Sequence, residues 1–233
     1  MVSSPASRSL TPNLPFKFVG GEPSLDLVNT VDWTNRGLEN DRLGGYDRLV
    51  IWVRDAGVLS DGQARALRAA TTPAPDRAQA AYEAARWTRW VLHEVFNAVV
   101  TRQPVAESLA EFSRLLTRAH QHLDLAPAPA GRRREGPALT WEWRGMPQQL
   151  EWLLWPVVRS AANLLTSPDA GRVRMCAGPD CGWLYVDRSR NGLRRWCEMQ
   201  TCGTFAKSRR RAERRQVHRR RASRAEKPGG LRG

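Results

Sequence analysis

The sequence predicts a mainly α (α+β) protein: a helical amino-terminal domain carrying a small strand pair, then a small cysteine module that ends in a basic helix. Three observations predict it. Apolar residues recur at helical spacing through most of residues 46–165, and one short stretch alternates instead. All four cysteines fall within residues 176–202, in a repeated spacing, directly before the densest run of arginine.

Residues 1–15 are rich in Ser and Pro and read as a disordered leader. In FKFVGGEPSLDLVNTV, Phe16–Val19 reads as a short strand, Gly20-Gly21 as a turn, and the rest as a helix. Pro23 stands at the first position of that helix, where a missing N–H is harmless. YDRLVIWVRDAGVLS places Leu49, Trp52, Val53, Ala56 and Leu59 at helical spacing, and Ser60 with Gln63 forms a capping box for the next helix. Two longer helices follow. Ala84, Thr88, Val91, Val95, Ala98 and Val99 share a face of the first. Val105, Leu109, Phe112, Leu116, Ala119 and Leu123 share a face of the second, which Pro104 begins. Such stripes bury against one another, as in a helical bundle. APAPAGRRREG is a loop, after which Leu139, Trp141 and Trp143 alternate with Thr140, Glu142 and Arg144 as in a strand, with Phe16–Val19 as its expected partner. A last helix is expected from about Pro147 to Leu165, broken at Pro156. The organisation is then 1–15 leader, 16–168 helical domain, 172–225 cysteine module with basic helix, and 226–233 disordered tail, with TSPDAGR at the main boundary.

The net charge of +14 is concentrated at one end. From Arg172 onward there are 18 Lys+Arg against 5 Asp+Glu, which leaves 19 against 18 for residues 1–171. A near-neutral body with a basic arm points to a polyanionic partner. The arm lacks the Trp/Leu/Phe stripe that inserts into lipid, and no stretch approaches the roughly 18 apolar residues of a membrane span, so no membrane role is expected. Without an apolar leader the protein is expected to be cytoplasmic, and cysteines there read as metal ligands before disulfides.

The cysteine pattern is C-x4-C-x15-C-x4-C: Cys176, Cys181, Cys197 and Cys202. Four thiolates suit one structural Zn²⁺ in a closed tetrahedral site, with no open position for water or substrate. An iron–sulfur cluster is the lesser alternative. WLYVDRSRNGLRRW reads as a hairpin turning at Asn191-Gly192 with type I′ composition. A spacing of five residues rotates a helix by about 500°, so Cys197 and Cys202 cannot share one helix face; Cys197 is expected in a loop and Cys202 at the helix start. Gly182 and Gly203 each follow a ligand, which is expected to let backbone N–H groups approach the sulfurs. The basic helix is expected to dock its first turn on Trp183 and Trp196 and to project the remainder.

Lys207, Arg210, Arg211, Arg214, His218 and Arg221 fall on one face of that helix, widened by Arg209 and Arg215. Together with Arg194 and Arg195, the cations Lys207, Arg209, Arg210, Arg211, Arg214, Arg215 and Arg221 are the expected contacts to double-stranded DNA. Association with RNA or the ribosome is the alternative. A redox sensor that ejects zinc on thiol oxidation is a third reading. No nucleophile elbow, phosphate loop, metalloprotease motif or triad is visible, so no enzyme is expected.

These residues resemble a known family. CAGPDCGWLYVDRSRNGLRRWCEMQTCG is similar to the CGNR-type zinc finger through Tyr185, Asp187, Ser189, Arg194, Arg195, Trp196 and the four cysteines, and a treble-clef-like fold is expected for it. FVGGEPSLDLVNT and YDRLVIWVRDAGVLS resemble the ABATE-type domain that precedes such fingers. The resemblance implies a bacterial transcription regulator, nucleoid-associated, with a sensing or regulatory amino-terminal domain and a DNA-binding finger. The family's Asn-Arg after Cys-Gly is Thr204-Phe205 here, which removes one cation. A regulator invites a small-molecule effector, for which Asp26, Asn29 and Trp33 are the candidate contacts, and a homodimer formed through the helical domain. The other reading of Asp26 and Asn29 is a structural hydrogen-bond network, for instance to the Gly20-Gly21 turn.

Overall fold

The structure, a computed structural model, describes residues 14–34, 36–128, 138–144 and 149–225, with side chains as far as His218. The expected leader, apart from Leu14 and Pro15, lies outside the described residues, as do the tail from residue 226, most of the loop at 129–137, and Pro147.

Helix α1 (Pro23–Val28) is short because its job is burial. Leu25, Leu27 and Val28 are wholly inaccessible, and the helices Pro75–Thr101 and Trp155–Leu165 pack around it. A helix buried on nearly every side, its polar Ser24 and Asp26 included, belongs in the middle of a core. A two-stranded hairpin follows, β1 (Asp32–Thr34) with β2 (Gly37–Glu39), and then α2 (Tyr46–Asp55), which buries Leu49, Trp52 and Val53 as its spacing predicts. α3 (Asp61–Thr71) starts with the expected reciprocal cap: Ser60 Oγ accepts from the Gln63 N–H, and Gln63 Oε1 accepts from the Ser60 N–H at 2.9 Å.

The long helix α4 (Pro75–Thr101) is the spine. It begins at Pro75 and ends where Arg102 turns left-handed (φ 57°) and its N–H caps the carbonyls of Ala98 and Val99. Val91 and Val95 face the core as expected, Ala84 is half-buried, and Val99 is exposed. Arg89, in the same helix, is also buried, at 1% exposure. Its guanidinium forms a two-pronged pair with the buried Asp41 at 2.6 and 2.9 Å and donates to Thr30 Oγ1 at 2.9 Å. Removing one partner of such a pair is costly because the other charge is left without a counterion. This pair ties α4 to the loop before α2.

α5 (Ala106–His120) buries Phe112 and Ala119 and leaves Leu109 exposed. It stops three residues short of the expected Leu123, which instead opens β3 (Leu123–Pro127). β4 (Leu139–Trp143) is a strand as its alternation predicts, but it pairs antiparallel with β3, with Leu125 opposite Trp141. Phe16–Val19 forms no strand, because Val19 and Gly20 are drawn to the α1 carboxylate described below. The inner end of the ribbon is packed, with Trp143 and His122 lying on Trp155; Leu125, Leu139 and Trp141 are exposed, with the Arg159 guanidinium 4.5 Å over the Trp141 ring. Pro156 breaks the last helix where expected, a 3₁₀ turn at Leu150–Leu154 passing into α6 (Trp155–Leu165).

Across TSPDAGR, a 3₁₀ turn at Pro168–Arg172 leads into β5 (Val173–Met175), paired antiparallel with β6 (Leu184–Val186). Val173, Leu184 and Val186 belong to the same apolar core as α1 and α4. The cysteine module is thus fused to the helical domain through a shared interior.

Candidate metal centre and basic helix

β5 ends one residue before Cys176, and the chain turns back sharply at Cys181 between two left-handed residues, Asp180 (φ 57°) and Gly182 (φ 63°). A Cβ on Gly182 would lie 2.3 Å from the Trp33 carbonyl oxygen, so only glycine fits there. Cys197 lies in a loop and Cys202 in a π-helical turn, Met199–Gly203, that opens into α7 (Thr204–Ala225); this is the placement their spacing requires. The four sulfurs lie within 4.8 Å of one another. Cys181 Sγ and Cys202 Sγ each stand 3.7 Å from Cys197 Sγ. Zn–S arms of about 2.3 Å give a tetrahedron with an edge of about 3.8 Å, which the two 3.7 Å separations match.

The environment favours thiolate at one end of the cluster. Cys176 accepts from its own neighbourhood: the Cys197 N–H at 3.2 Å, the Gly178 N–H at 3.4 Å, and the thiols of Cys181 and Cys197, which hold it well below the usual thiol range. Those same hydrogen bonds to Cys176 push Cys181 and Cys197 up, and burial raises Cys202. A divalent cation stabilises all four as thiolates together. The backbone N–H donors to sulfur include Gly178 and Cys197 at Cys176 and, directly after Gly182, Trp183 at Cys181. Gly182 and Gly203 allow close approach, and a Cβ on Gly203 would meet Met199 Sδ at 2.4 Å.

The segment after β6 supports the site differently from the expected hairpin. β6 pairs with β5, and residues 193–196 join no sheet. The turn spans Ser189–Gly192, where the Gly192 N–H donates to the Ser189 carbonyl at 3.2 Å. Gly192 is left-handed but Asn191 is not, so the turn is not type I′. Asp187 organises it. One carboxylate oxygen accepts from the N–H and hydroxyl of Ser189 at 2.9 and 2.5 Å, and the other accepts from the Arg194 N–H at 3.0 Å. These bonds, led by the Ser189 hydroxyl, hold the Asp187 carboxyl below its usual range. An Asp two residues before a Ser signals such a turn in sequence.

A model of the family described as "ABATE: Putative stress-induced transcription regulator" matches residues 21–168, and one described as "CGNR zinc finger" matches residues 172–215. The chain belongs to the ABATE family. Its carboxy-terminal module is a CGNR zinc finger, and its four cysteines hold one structural zinc ion. No curated protein sequence matches the chain.

In this ABATE protein Arg194 does not face outward. Its guanidinium lies 4.1 Å over the Tyr185 ring and donates to the carbonyls of Trp196 at 3.0 Å, Val19 at 3.1 Å and Cys197. The expectation that Arg194 contacts DNA is therefore corrected: it clamps the third zinc ligand. Arg195 is exposed beside Trp196. Every side chain from Thr204 to His218 is exposed except Ala206, which is half-buried, so Lys207, Arg209, Arg210, Arg211, Arg214 and Arg215 all stand in solvent. Arg209 pairs with Glu213 one turn on, at 3.2 Å. The side chain of Arg221 lies outside the described ones. The helix is anchored by the π turn and by Trp196 beneath Gly203. Trp183, expected to share that dock, is buried elsewhere, donating to the Val31 carbonyl at 3.0 Å beneath the Arg42 guanidinium. Phe205 is exposed, and the Thr204 hydroxyl donates to the Met199 carbonyl at 3.1 Å.

Asp26, Asn29 and Trp33 are engaged by the chain itself. Asp26 Oδ1 accepts from the Gly20 N–H at 2.7 Å, the network named as the alternative to a ligand site. Asn29 bonds the backbone of Leu184, and Trp33 donates to the Val28 carbonyl at 2.9 Å while stacking on His93 at 3.5 Å. Sequence reasoning missed the Arg89–Asp41 pair, since an arginine inside an amphipathic helix carries no mark of burial.

Proposed function

We propose that this chain is a zinc-dependent transcription regulator that binds double-stranded DNA through α7. One observation carries the reading: a helix of this charge is built outward from the zinc centre with its described side chains in solvent and, among the described residues, no other part of the protein to neutralise it. Such a helix repels itself, and phosphates relieve that repulsion. Four cysteine ligands leave zinc no position for substrate, which supports a regulator and not an enzyme. Among the described residues no helix is long and apolar enough to cross a membrane, and DNA binding places the protein at the nucleoid.

The test is duplex binding by the zinc-loaded chain across a salt series. Five to seven phosphate contacts predict that log K falls with log salt at a slope of roughly −5 to −6. Replacing Arg210 and Arg214 by alanine should flatten it by roughly 2. Tighter binding to a structured RNA than to any duplex would transfer the reading to RNA or ribosome association.

For the helical domain, a homodimer is better supported than an effector site at Asp26, Asn29 and Trp33, whose polar atoms are already paired. In the β3–β4 register, the Arg144 N–H bonds the His122 carbonyl and the Ala128 N–H bonds the Ala138 carbonyl. By strand alternation the backbone groups of Leu139, Trp141 and Trp143 then face the outer edge. A second β4, antiparallel about Trp141, would satisfy them in pairs. Sedimentation equilibrium should show a dimer that Trp141→Glu dissociates; a wild-type monomer at every concentration would exclude it.

A further inference from the structure

A second feature of the finger is built for the same partner, and it rests on the DNA-binding reading. We propose that the loop Ser189–Arg195 is a DNA contact separate from α7, in which Leu193 wedges between base pairs from the minor groove while Arg190 and Arg195 hold the flanking backbone.

Leu193 is the most exposed large apolar side chain described, at 75%. A lone surface leucine is ordinary; what sets this one apart is its mounting. Asp187 grips the loop at both ends, through Ser189 and through the Arg194 N–H. Arg172 donates to the Asp187 carbonyl at 2.9 Å from the other side. The Tyr185 hydroxyl donates to the Arg194 carbonyl at 2.6 Å, and the Ala177 N–H, inside the first zinc knuckle, donates to the Arg195 carbonyl at 2.8 Å. The loop is thus fastened to the metal centre, and inserting its tip costs little ordering of the chain.

Burial alternates along residues 193–196: Arg194 and Trp196 are half-buried, packed on Tyr185 and under Gly203, while Leu193 and Arg195 are exposed. Arg190, across the turn, is exposed as well, and among the described residues neither Arg190 nor Arg195 makes an ion pair. From Arg188 to Cys197 there is no acidic residue. The result is a rigid apolar tip between two unneutralised guanidinium groups. Proteins that kink DNA from the minor groove use such a wedge, and arginine favours the negative potential of a narrow minor groove. An acidic protein surface would satisfy the arginines but gives the leucine nothing to enter.

The test uses the full zinc-loaded chain and a short mixed-sequence duplex with a fluorophore at each end and 2-aminopurine beside a central TA step, the step most easily unstacked. Wild type should shorten the end-to-end distance and brighten the 2-aminopurine. Leu193→Ala should lose both effects and bind roughly tenfold more weakly, with an unchanged salt slope and full zinc content, while Leu193→Met should retain the bend. Arg195→Ala should lower the slope by about one. If Leu193→Ala bends and unstacks the duplex as wild type does, the wedge is wrong and α7 alone binds. If wild type binds no duplex at all, the DNA reading fails before the wedge is reached.

Discussion

The side chain of Asn29 brackets the backbone of Leu184: its Oδ1 accepts from the Leu184 N–H at 2.9 Å, and its Nδ2 donates to the Leu184 carbonyl at 2.8 Å. Both residues are buried. One amide, on the residue that caps the first helix, thus completes the free edge of β6, beside the Val186 N–H bond to the Gly20 carbonyl at 2.9 Å. This seam, with the shared core, makes the helical domain and the finger depend on each other.

Asn29→Ala leaves a buried N–H and a buried carbonyl unpaired. The expected loss is about 2–4 kcal/mol of stability, and it should fall on both parts of the chain. Urea unfolding followed by tryptophan emission and by zinc release should show both transitions moving to lower denaturant together. A variant that weakens zinc retention alone would mean the finger is energetically separate.

Arg194 and Arg195 are neighbours in sequence with opposite roles. Arg194→Ala removes three carbonyl contacts around Cys197 and should speed zinc loss to a chelator, with the salt slope of DNA binding unchanged once zinc is saturating. Arg195→Ala should leave chelator kinetics at the wild-type rate. A dye-based zinc-release assay separates the two.

Burial pushes the Asp26 carboxyl up to about 6, only partly offset by the N–H groups of Gly20 and Val19 that it accepts. The folded value lies above the unfolded one, so the associated stability is present below about pH 4 and lost as pH rises through about 6, a change on the order of 3 kcal/mol. Asp26→Asn keeps an oxygen for the Gly20 N–H and carries no charge. Its stability relative to wild type should therefore improve between about pH 4 and pH 7. Equal pH profiles for the two proteins, measured by urea midpoint, would contradict the buried carboxylate.

Much of this was legible in the sequence because it is local. The Ser60–Gln63 cap, the Pro156 break, the alternation of Leu139–Trp143 and the cysteine spacing are each set within a few residues. What was not legible depends on partners far along the chain. Leu139–Trp143 shows that it is a strand but not that its mate is Leu123–Pro127, because apolar residues of a helix end and of an exposed ribbon read alike. The Phe16–Val19 strand fails because a carboxylate ten residues from Phe16 competes for its backbone. Arg194 reads as one more cation in an arginine-rich stretch, and only the Tyr185 ring and three carbonyls reveal it as a clamp. Asn29 reads as a polar residue on a small helix, and its partner is 155 positions away.

The central claim, that zinc aims α7 at DNA, is tested most directly by measuring bound metal and duplex affinity on the same sample before and after chelation. One zinc per chain, with affinity falling at least tenfold on its removal and returning on re-addition, is the predicted result. A chain that carries no stoichiometric metal, or that binds DNA equally well once stripped, would contradict it.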